Sequence, residues 1–380
     1  MRLSVMLAVC LAACARQNDM VPGPTEPACR RVVTLQEARG SSNGDGDEAP
    51  TIRWYTPSGR KMSDGLARWC ATVGPSVIEP QPSPELAGVS AAGSLKVVSW
   101  NAAVGGGDLL GFLSAELGLE CADAAPQPGP RFSHFALLLQ EAYRLSEDVP
   151  MPAPDAPFPR QIDPASRPGF MLDVTEVAAR CGLALAYVPS ARNGRRARGE
   201  RREDKGNAIL ASLPLADFVA IEMPLEASRK VVVAASLELP EGGRLRVVSV
   251  HLDVAAGLAR TLVSGNSWRL DQAAATIDAL QMADTALNRA AAGGFSIATL
   301  VAGDFNVWSK DNSALKLFRR EYPESPPFSQ PTRGAFAPDH LFFAEAKDRR
   351  VQLVPGSFRR IEARYYSDHH GLSVQLTTGR

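Results

Sequence analysis

Leu300-Val301-Ala302-Gly303-Asp304-Phe305-Asn306 is an apolar run of one strand's length that stops on an acid and an amide. A strand covered on both faces reads as unbroken apolar sequence. A polar side chain at its end lies at the rim of the sheet. Alone, such a residue is a turn or a cap, but the layout recurs along this chain. Asn101 follows Val97-Val98-Ser99-Trp100, Glu141 follows Leu137-Leu138-Leu139-Gln140, and His251 ends Val247-Val248-Ser249-Val250. Asp339 precedes His340-Leu341-Phe342-Phe343, and Asp368-His369 precedes the apolar stretch that starts at Leu372. Six strand ends carrying only Asn, Asp, Glu or His predict that the strands lie side by side and bring these groups to one pocket.

Working outward, β-branched and apolar runs predict strands over 95–100, 135–140, 183–188, 207–213, 231–239, 245–251, 296–302, 340–344, 350–354 and 372–377. Helical spacing predicts a short helix over 172–181 and a long one over 267–292. The long one carries Leu270, Ala274, Ile277, Leu280 and Leu287 as its stripe, and Gly293-Gly294 closes it. Pro240-Glu241-Gly242-Gly243 reads as a hairpin turn. Hairpins mixed with helices predict an α+β fold. Residues 15–28 read as a tether and 29–93 as a small extension ending in a proline-rich linker, with the main domain over 94–380. The proline-dense stretch 150–168 is expected to lack regular structure.

The pocket these residues form suits one chemistry. Magnesium takes oxygen ligands and keeps several waters, and Glu141, Asp368 and Asn101 supply such a set. Asp304 can orient or deprotonate a water. Asp339 beside His369 would hold the imidazole in one tautomer and favour its charged form.

Trp100-Asn101, Gln140-Glu141, Val250-His251-Leu252, Gly303-Asp304-Phe305-Asn306, Asp339 and Ser367-Asp368-His369 resemble the ordered motifs of the endonuclease/exonuclease/phosphatase superfamily. The resemblance runs over roughly 94–376. It implies a deoxyribonuclease I-like, four-layer sandwich of two mixed β-sheets flanked by helices. It implies Glu141 as the principal ligand of Mg2+ or Mn2+, assisted by Asn101 and Asp368. Asp304 would align the attacking water, Asn306 would bind a phosphate oxygen, and His369, oriented by Asp339, would act as base or charge stabiliser. His251 would face the phosphate and protonate the leaving group. Gly206-Asn207-Ala208-Ile209-Leu210 resembles a further family motif that places Asn207 by the scissile phosphate, or else Asn207 opens a strand. The activity implied is metal-dependent hydrolysis of a phosphoric ester.

Composition leaves the substrate open. The 41 basic and 41 acidic residues cancel, so a polyanion would need a local patch. The 192–205 segment, with seven basic residues against three acids, is a candidate for that patch or simply a solvated loop. A nuclease-like phosphodiesterase is the first reading, a phospholipid- or phosphosugar-directed hydrolase the second, and a non-catalytic envelope binding module the rival from another class. A monomer is expected.

The start of the chain points to export. Met1-Arg2 precedes an apolar stretch over 3–13 that is too short to span a bilayer. Leu11-Ala12-Ala13-Cys14 resembles a bacterial lipobox, which implies lipid on Cys14 and a membrane anchor in the cell envelope, at the outer membrane or in the periplasm. Of six cysteines, Cys29, Cys70, Cys121 and Cys181 remain beyond that leader. An even set suits an oxidising compartment. Locality suggests Cys29–Cys70 and Cys121–Cys181, the alternative being four buried thiols.

Overall fold

The computed structural model describes residues 19–24, 28–40, 50–89, 93–121, 126–151, 153, 156–157, 172–193, 201–239, 243–254, 267–290, 297–309, 311–326 and 330–378. Cys14, Arg195, Arg196, Arg198 and most of 150–168 lie outside them.

In chain order the strands are β1 (Met20–Pro22), β2 (Val32–Thr34), β3 (Arg53–Pro57), β4 (Ser76–Glu79), β5 (Ser94–Asn101), β6 (Leu119–Cys121), β7 (Pro126–Pro128), β8 (Phe135–Leu145) and β9 (Ala184–Arg192). They continue with β10 (Glu203–Ala211), β11 (Leu215–Glu222), β12 (Val231–Glu238), β13 (Arg244–His251), β14 (Ala298–Asp304), β15 (Asp339–Ala344), β16 (Val351–Leu353), β17 (Arg359–Arg360) and β18 (Leu372–Thr378). One sheet runs β1-β3-β11-β12-β13-β14-β15, and the other runs β16-β18-β5-β8-β10-β9-β4-β2 with β17 beside β18. Both are mixed. The β13–β14 and β5–β8 pairs are parallel, and helices Ser267–Ala290 and Leu109–Leu117 lie in the respective crossovers.

Alternation along each strand sorts side chains into separate cores. Val97, Val247 and Leu300 point between the sheets, with Ile209, Val233 and Val374. Their neighbours point outward. Val98 packs under Phe112, Leu113 and Val177, while Val248 and Val301 pack under Ile277, Leu280, Leu315 and Phe318. The result is helices, sheet, sheet, helices: the expected four-layer sandwich. Coverage on both faces is why these strands read as continuous apolar runs. On the long helix the buried stripe passes through Ala273, Ile277, Leu280 and Ala283, one step round from the expected Leu270, Ala274 and Leu287. Alanines there let the helix sit close to the sheet.

The boundary expected at residues 93 and 94 does not divide the structure. The segment read as a tether supplies β1, and the extension supplies β3 to one sheet and β2 and β4 to the other. The linker is laid down rather than loose, with Ser83 N donating to the Gly182 carbonyl and Leu215 N to that of Pro80. Both suggested disulfides are present: Cys29–Cys70 with Cα atoms 5.4 Å apart, and Cys121–Cys181 at 4.8 Å. A buried ion cluster also fixes the extension. Glu222 accepts from Arg30 at 2.5 Å, from Arg229 at 2.8 Å and from the Thr56 hydroxyl at 3.1 Å.

Gly303 marks the closest approach of β14 to β13. A Cβ there would stand 1.8 Å from the Val250 carbonyl oxygen. Gly303→Ala is expected to force the two strands apart, lowering Tm by at least several degrees and weakening activity with it. An unchanged Tm in thermal unfolding would show that the strands shift freely.

Candidate active site

The polar strand ends do meet. Register sets His251 beside Asp304 and Asp304 beside Asp339 on three adjacent strands. Asn101 reaches across from the other sheet, its Nδ2 donating to Asp304 Oδ2 at 3.1 Å, while its Oδ1 accepts from Ala103 N at 3.0 Å. Beneath, Gln140 Nε2 donates to Ser249 Oγ at 3.0 Å, and Asn207 Nδ2 donates to the carbonyls of Val231 at 2.9 Å and Ser249 at 3.1 Å. These bonds join the two sheets through a polar floor and satisfy both amide nitrogens, while the buried Gln140 Oε1 has no partner among the described residues. Asn207 therefore sits in the floor, with its amide nitrogen committed to the scaffold.

Asp304 is 1% exposed and lies at the centre. Its Oδ1 accepts from Asn306 N at 2.8 Å, and its Oδ2 lies 3.8 Å from both His251 Nε2 and His369 Nε2. Asn306 is held by its own Nδ2, which donates to Leu252 O at 2.9 Å. His369 Nδ1 pairs with Asp339 Oδ2 at 2.8 Å, and Thr332 Oγ1 donates to the same oxygen at 2.5 Å. Ser367 Oγ then clips this loop to β5 by donating to Asn101 O at 2.6 Å while accepting from His369 N at 3.0 Å. Asp304, Asp339 and His369 are the described His, Cys, Asp or Glu groups close enough together to share one ion.

The two histidines are driven to opposite states. Burial lowers His369, but the Asp339 carboxylate and its hydrogen bond outweigh that, with help from Asp304 and Asp368, and hold it up at about 9. Burial and the Lys230 ammonium push His251 down to about 3, against the pull of Asp304 and Glu141. Lys230 Nζ lies 3.1 Å from His251 Nε2, so the neutral ring accepts there. At neutral pH His369 is a cation and His251 is not.

Glu141 enters from a bulge. Gln140 and Glu141 together oppose Asn207, since Ala142 pairs with Gly206 and Leu139 with Ala208. Glu141 has φ 51°, and the bulge re-aims its side chain. Burial would raise this acid, yet Lys205, His251 and Lys230 outweigh it and hold the group at about 2. Lys205 Nζ is 3.3 Å from its Oε1. Left-handed backbone recurs around the pocket at Ala103, Val104, Asn306, Tyr365 and Tyr366. Each such residue costs on the order of 1 kcal/mol or more, and surrounding structure must hold it there.

Asp368 lies apart from the ligand set expected for it. Its carboxylate meets Arg333 Nη2 at 2.6 Å with the side chain 41% exposed, because adjacent side chains in this bend point apart and His369 takes the inward direction. Of the basic segment, Arg192 is buried and donates to the carbonyls of Pro150 and Arg201, each at 2.6 Å, and so acts as scaffold. His134 bonds Ser212 and Val89, and His370 bonds the Ile361 carbonyl.

Lys230 and Thr332 escape the sequence reading. Lys230 was findable. Extending the β12–β13 register, in which Val233 pairs with Ser249, sets Val231 opposite His251 and leaves Lys230 alongside it. Thr332 carries no such signal, since its loop is placed only by the fold.

No family model matches the chain. A curated protein described as UPF0232 protein, from Mycolicibacterium paratuberculosis, is 32% identical over 117 residues, which is 30% of this chain, and the chain spans only 62% of that relative's length. Solved structures similar to the chain include an endonuclease/exonuclease/phosphatase from Beutenbergia cavernae, at 15% identity and TM-score 0.47 over 75% of this chain and 72% of that one. The human Nocturnin catalytic domain is similar at 16% identity and TM-score 0.46, over 76% of this chain and 96% of that one. Sphingomyelinase C from Streptomyces griseocarneus is similar at 14% and 0.40, over 74% of this chain and 99% of that one.

Proposed function

We propose that the chain is a metal-assisted phosphodiesterase of the endonuclease/exonuclease/phosphatase family, acting on nucleic acid. The observation that carries this reading is the position of Asp304 Oδ2, 3.8 Å from the Nε2 atoms of two histidines held in opposite charge states. Environments that push two like groups apart separate acid from base roles.

In this reading Asp304, fixed by Asn101 and Asn306, orients a water and takes its proton. His369, held cationic by Asp339, faces the charge that builds on the phosphate oxygens. Neutral His251 accepts rather than donates, so the proton for the leaving oxygen comes from the Lys230 ammonium it contacts, in place of the donor role expected of His251 itself. The described cysteines are all in disulfides, and His369 is engaged by Asp339, so the donors the pocket offers a hard ion are chiefly oxygens. Glu141, ionised and only partly buried, would hold a hard Mg2+ or Mn2+ with Asn101 Oδ1, while Asp368, expected as a third ligand, is engaged by Arg333 at the rim. Such an ion, when bound, supplies Lewis-acid polarisation of a phosphoryl oxygen.

The test is cleavage of plasmid DNA, RNA, a model diester, a model monoester and sphingomyelin, each with Mg2+, Mn2+ or a chelator. Chelator-sensitive cleavage of nucleic acid is expected. Activity confined to sphingomyelin or the monoester would overturn the substrate class, and folded protein silent on every ester would overturn the reading.

The rate is also expected to depend on His369 remaining charged. Its folded value, about 9, lies above the ordinary 6.5. The cation therefore persists through neutral pH and is lost as pH rises through about 9. Its contribution to stability has the same sign, being full below 6.5 and lost over that rise. A kcat profile on the model diester should fall on the alkaline side near pH 9, and a flat profile to pH 10 would remove His369⁺ from the mechanism.

The reading includes the bacterial envelope as location, supported by Leu11-Ala12-Ala13-Cys14. Cys14→Ser is expected to abolish fatty-acid labelling and release the protein from membranes. Unchanged labelling would exclude that cysteine.

A further inference from the structure

Two aromatic rings stand in solvent beside the site. Trp308 is 47% exposed and Phe336 is 50% exposed. They meet edge to face, with centroids 4.8 Å apart and planes at 78°. Each hangs from backbone that the catalytic set holds. Trp308 is two residues past Asn306, which is bonded to Asp304 and Leu252. Phe336 closes a tight turn in which Thr332 N donates to Phe336 O at 2.8 Å and Phe336 N to Arg333 O at 3.0 Å. That turn is tied inward by Thr332 to Asp339 and by His370 N to Thr332 O at 2.8 Å.

Large apolar side chains are normally buried, and an exposed cluster beside a site marks what binds there. A T-shaped pair leaves a ring face open to a third planar group. A membrane surface fits less well. Arg333 and Asp368 share this rim as an ion pair, 43% and 41% exposed, and pressing them into an apolar layer would cost their hydration. Lys205 and Lys230, close to Glu141 and His251, offer cations to a phosphate held at the catalytic centre.

We infer that Trp308 and Phe336 form a stacking subsite for an unpaired nucleobase next to the cleaved phosphodiester, so that the substrate is single-stranded or locally opened nucleic acid. The inference deepens the proposed phosphodiesterase reading and rests on it. Stacking accepts every base, because each has a π-face. It requires the base to be splayed out, which a duplex resists.

The test is equilibrium binding to the full chain, with chelator present to prevent turnover. The probes are a short single-stranded oligonucleotide, an abasic strand of equal length and charge, a duplex, and phosphatidylcholine vesicles. The base-bearing strand is expected to bind about tenfold tighter than the abasic one. Trp308→Ala should remove that difference and leave abasic binding within about twofold, while Phe336→Leu should reduce it in part. Equal affinity for base-bearing and abasic strands overturns the subsite, as does binding to no strand. Trp308-dependent binding to vesicles alone overturns it in favour of a membrane contact. Cleavage is read separately with Mn2+. Cleavage without base-dependent binding sinks the subsite and spares the phosphodiesterase, and base-dependent binding without cleavage of any ester does the reverse.

Discussion

His369→Ala is expected to lower kcat on a phosphodiester by about three orders of magnitude, the upper range for removing one positioned acid–base or charge-stabilising group. The size follows from its setting. The imidazole is 1% exposed, its Nδ1 is bound to Asp339 at 2.8 Å, and its Nε2 faces Asp304 at 3.8 Å. Its charge therefore acts where little water screens it. Asp339→Asn keeps the volume but withdraws the anion that keeps the ring charged. It should cost about a hundredfold or more and move the alkaline limb of the pH profile downward. That movement separates a catalytic role from a structural one, because a merely loosened loop would lower the rate at every pH. Circular dichroism and thermal unfolding establish that each variant folds. Activity of folded His369→Ala within about tenfold of wild type would sink the assignment. Glu141→Ala should lose a comparable factor, together with the response to added divalent ion.

The second large effect is on stability, far from the strand ends. Glu222→Ala is expected to destabilise the protein by about 3–5 kcal/mol, the range for leaving a buried charge without its partner. Glu222 is 1% exposed at its side chain and bridges Arg30 at 9% and Arg229 at 0%, so its removal strands two guanidiniums. Arg229 also holds the Pro189 carbonyl at 2.8 Å and precedes Lys230. Loosening it should disturb the cation beside His251 and lower activity as well. Thermal or denaturant unfolding reads the effect. Replacing the whole cluster, as Glu222→Leu with Arg229→Met and Arg30→Met, should recover much of the loss, since a packed apolar cluster can match a buried ion network. A change below about 1 kcal/mol for Glu222→Ala would mean that water reaches the cluster.

Some elements were hidden for local reasons. Strand β11 contains a bulge between Ala216 and Val219, with Asp217 at φ 51°, so its alternation breaks where pattern reading needs it. The helix Leu109–Leu117 is apolar nearly all round, and its marks are its ends, where Asp108 caps Gly111 N and Gly118 turns left-handed. Asn312 caps the helix Ser313–Glu321 in the same way, accepting from Ala314 N at 2.8 Å. Those caps were legible signals. Strands β1 to β4 were not, because three to five residues carry little period and become strands only by adding to edges already built.

By itself the sequence determined that the longer apolar runs become strands, that both faces of those strands are covered, and that Asn101, His251, Asp304 and Asp339 finish or begin them at one rim. These follow from near-neighbour rules, hydrophobic burial and a period of two. Tertiary structure alone decided where each side chain points. It turned Asp368 out to Arg333, aimed Glu141 in through a bulge, laid Asn207 into the floor between the sheets, and drew the N-terminal segment into both of them. It also set the charges, since His251 and His369 are the same residue in sequence. They differ because a ladder of hydrogen bonds and a loop bring Lys230 to one and Asp339 to the other.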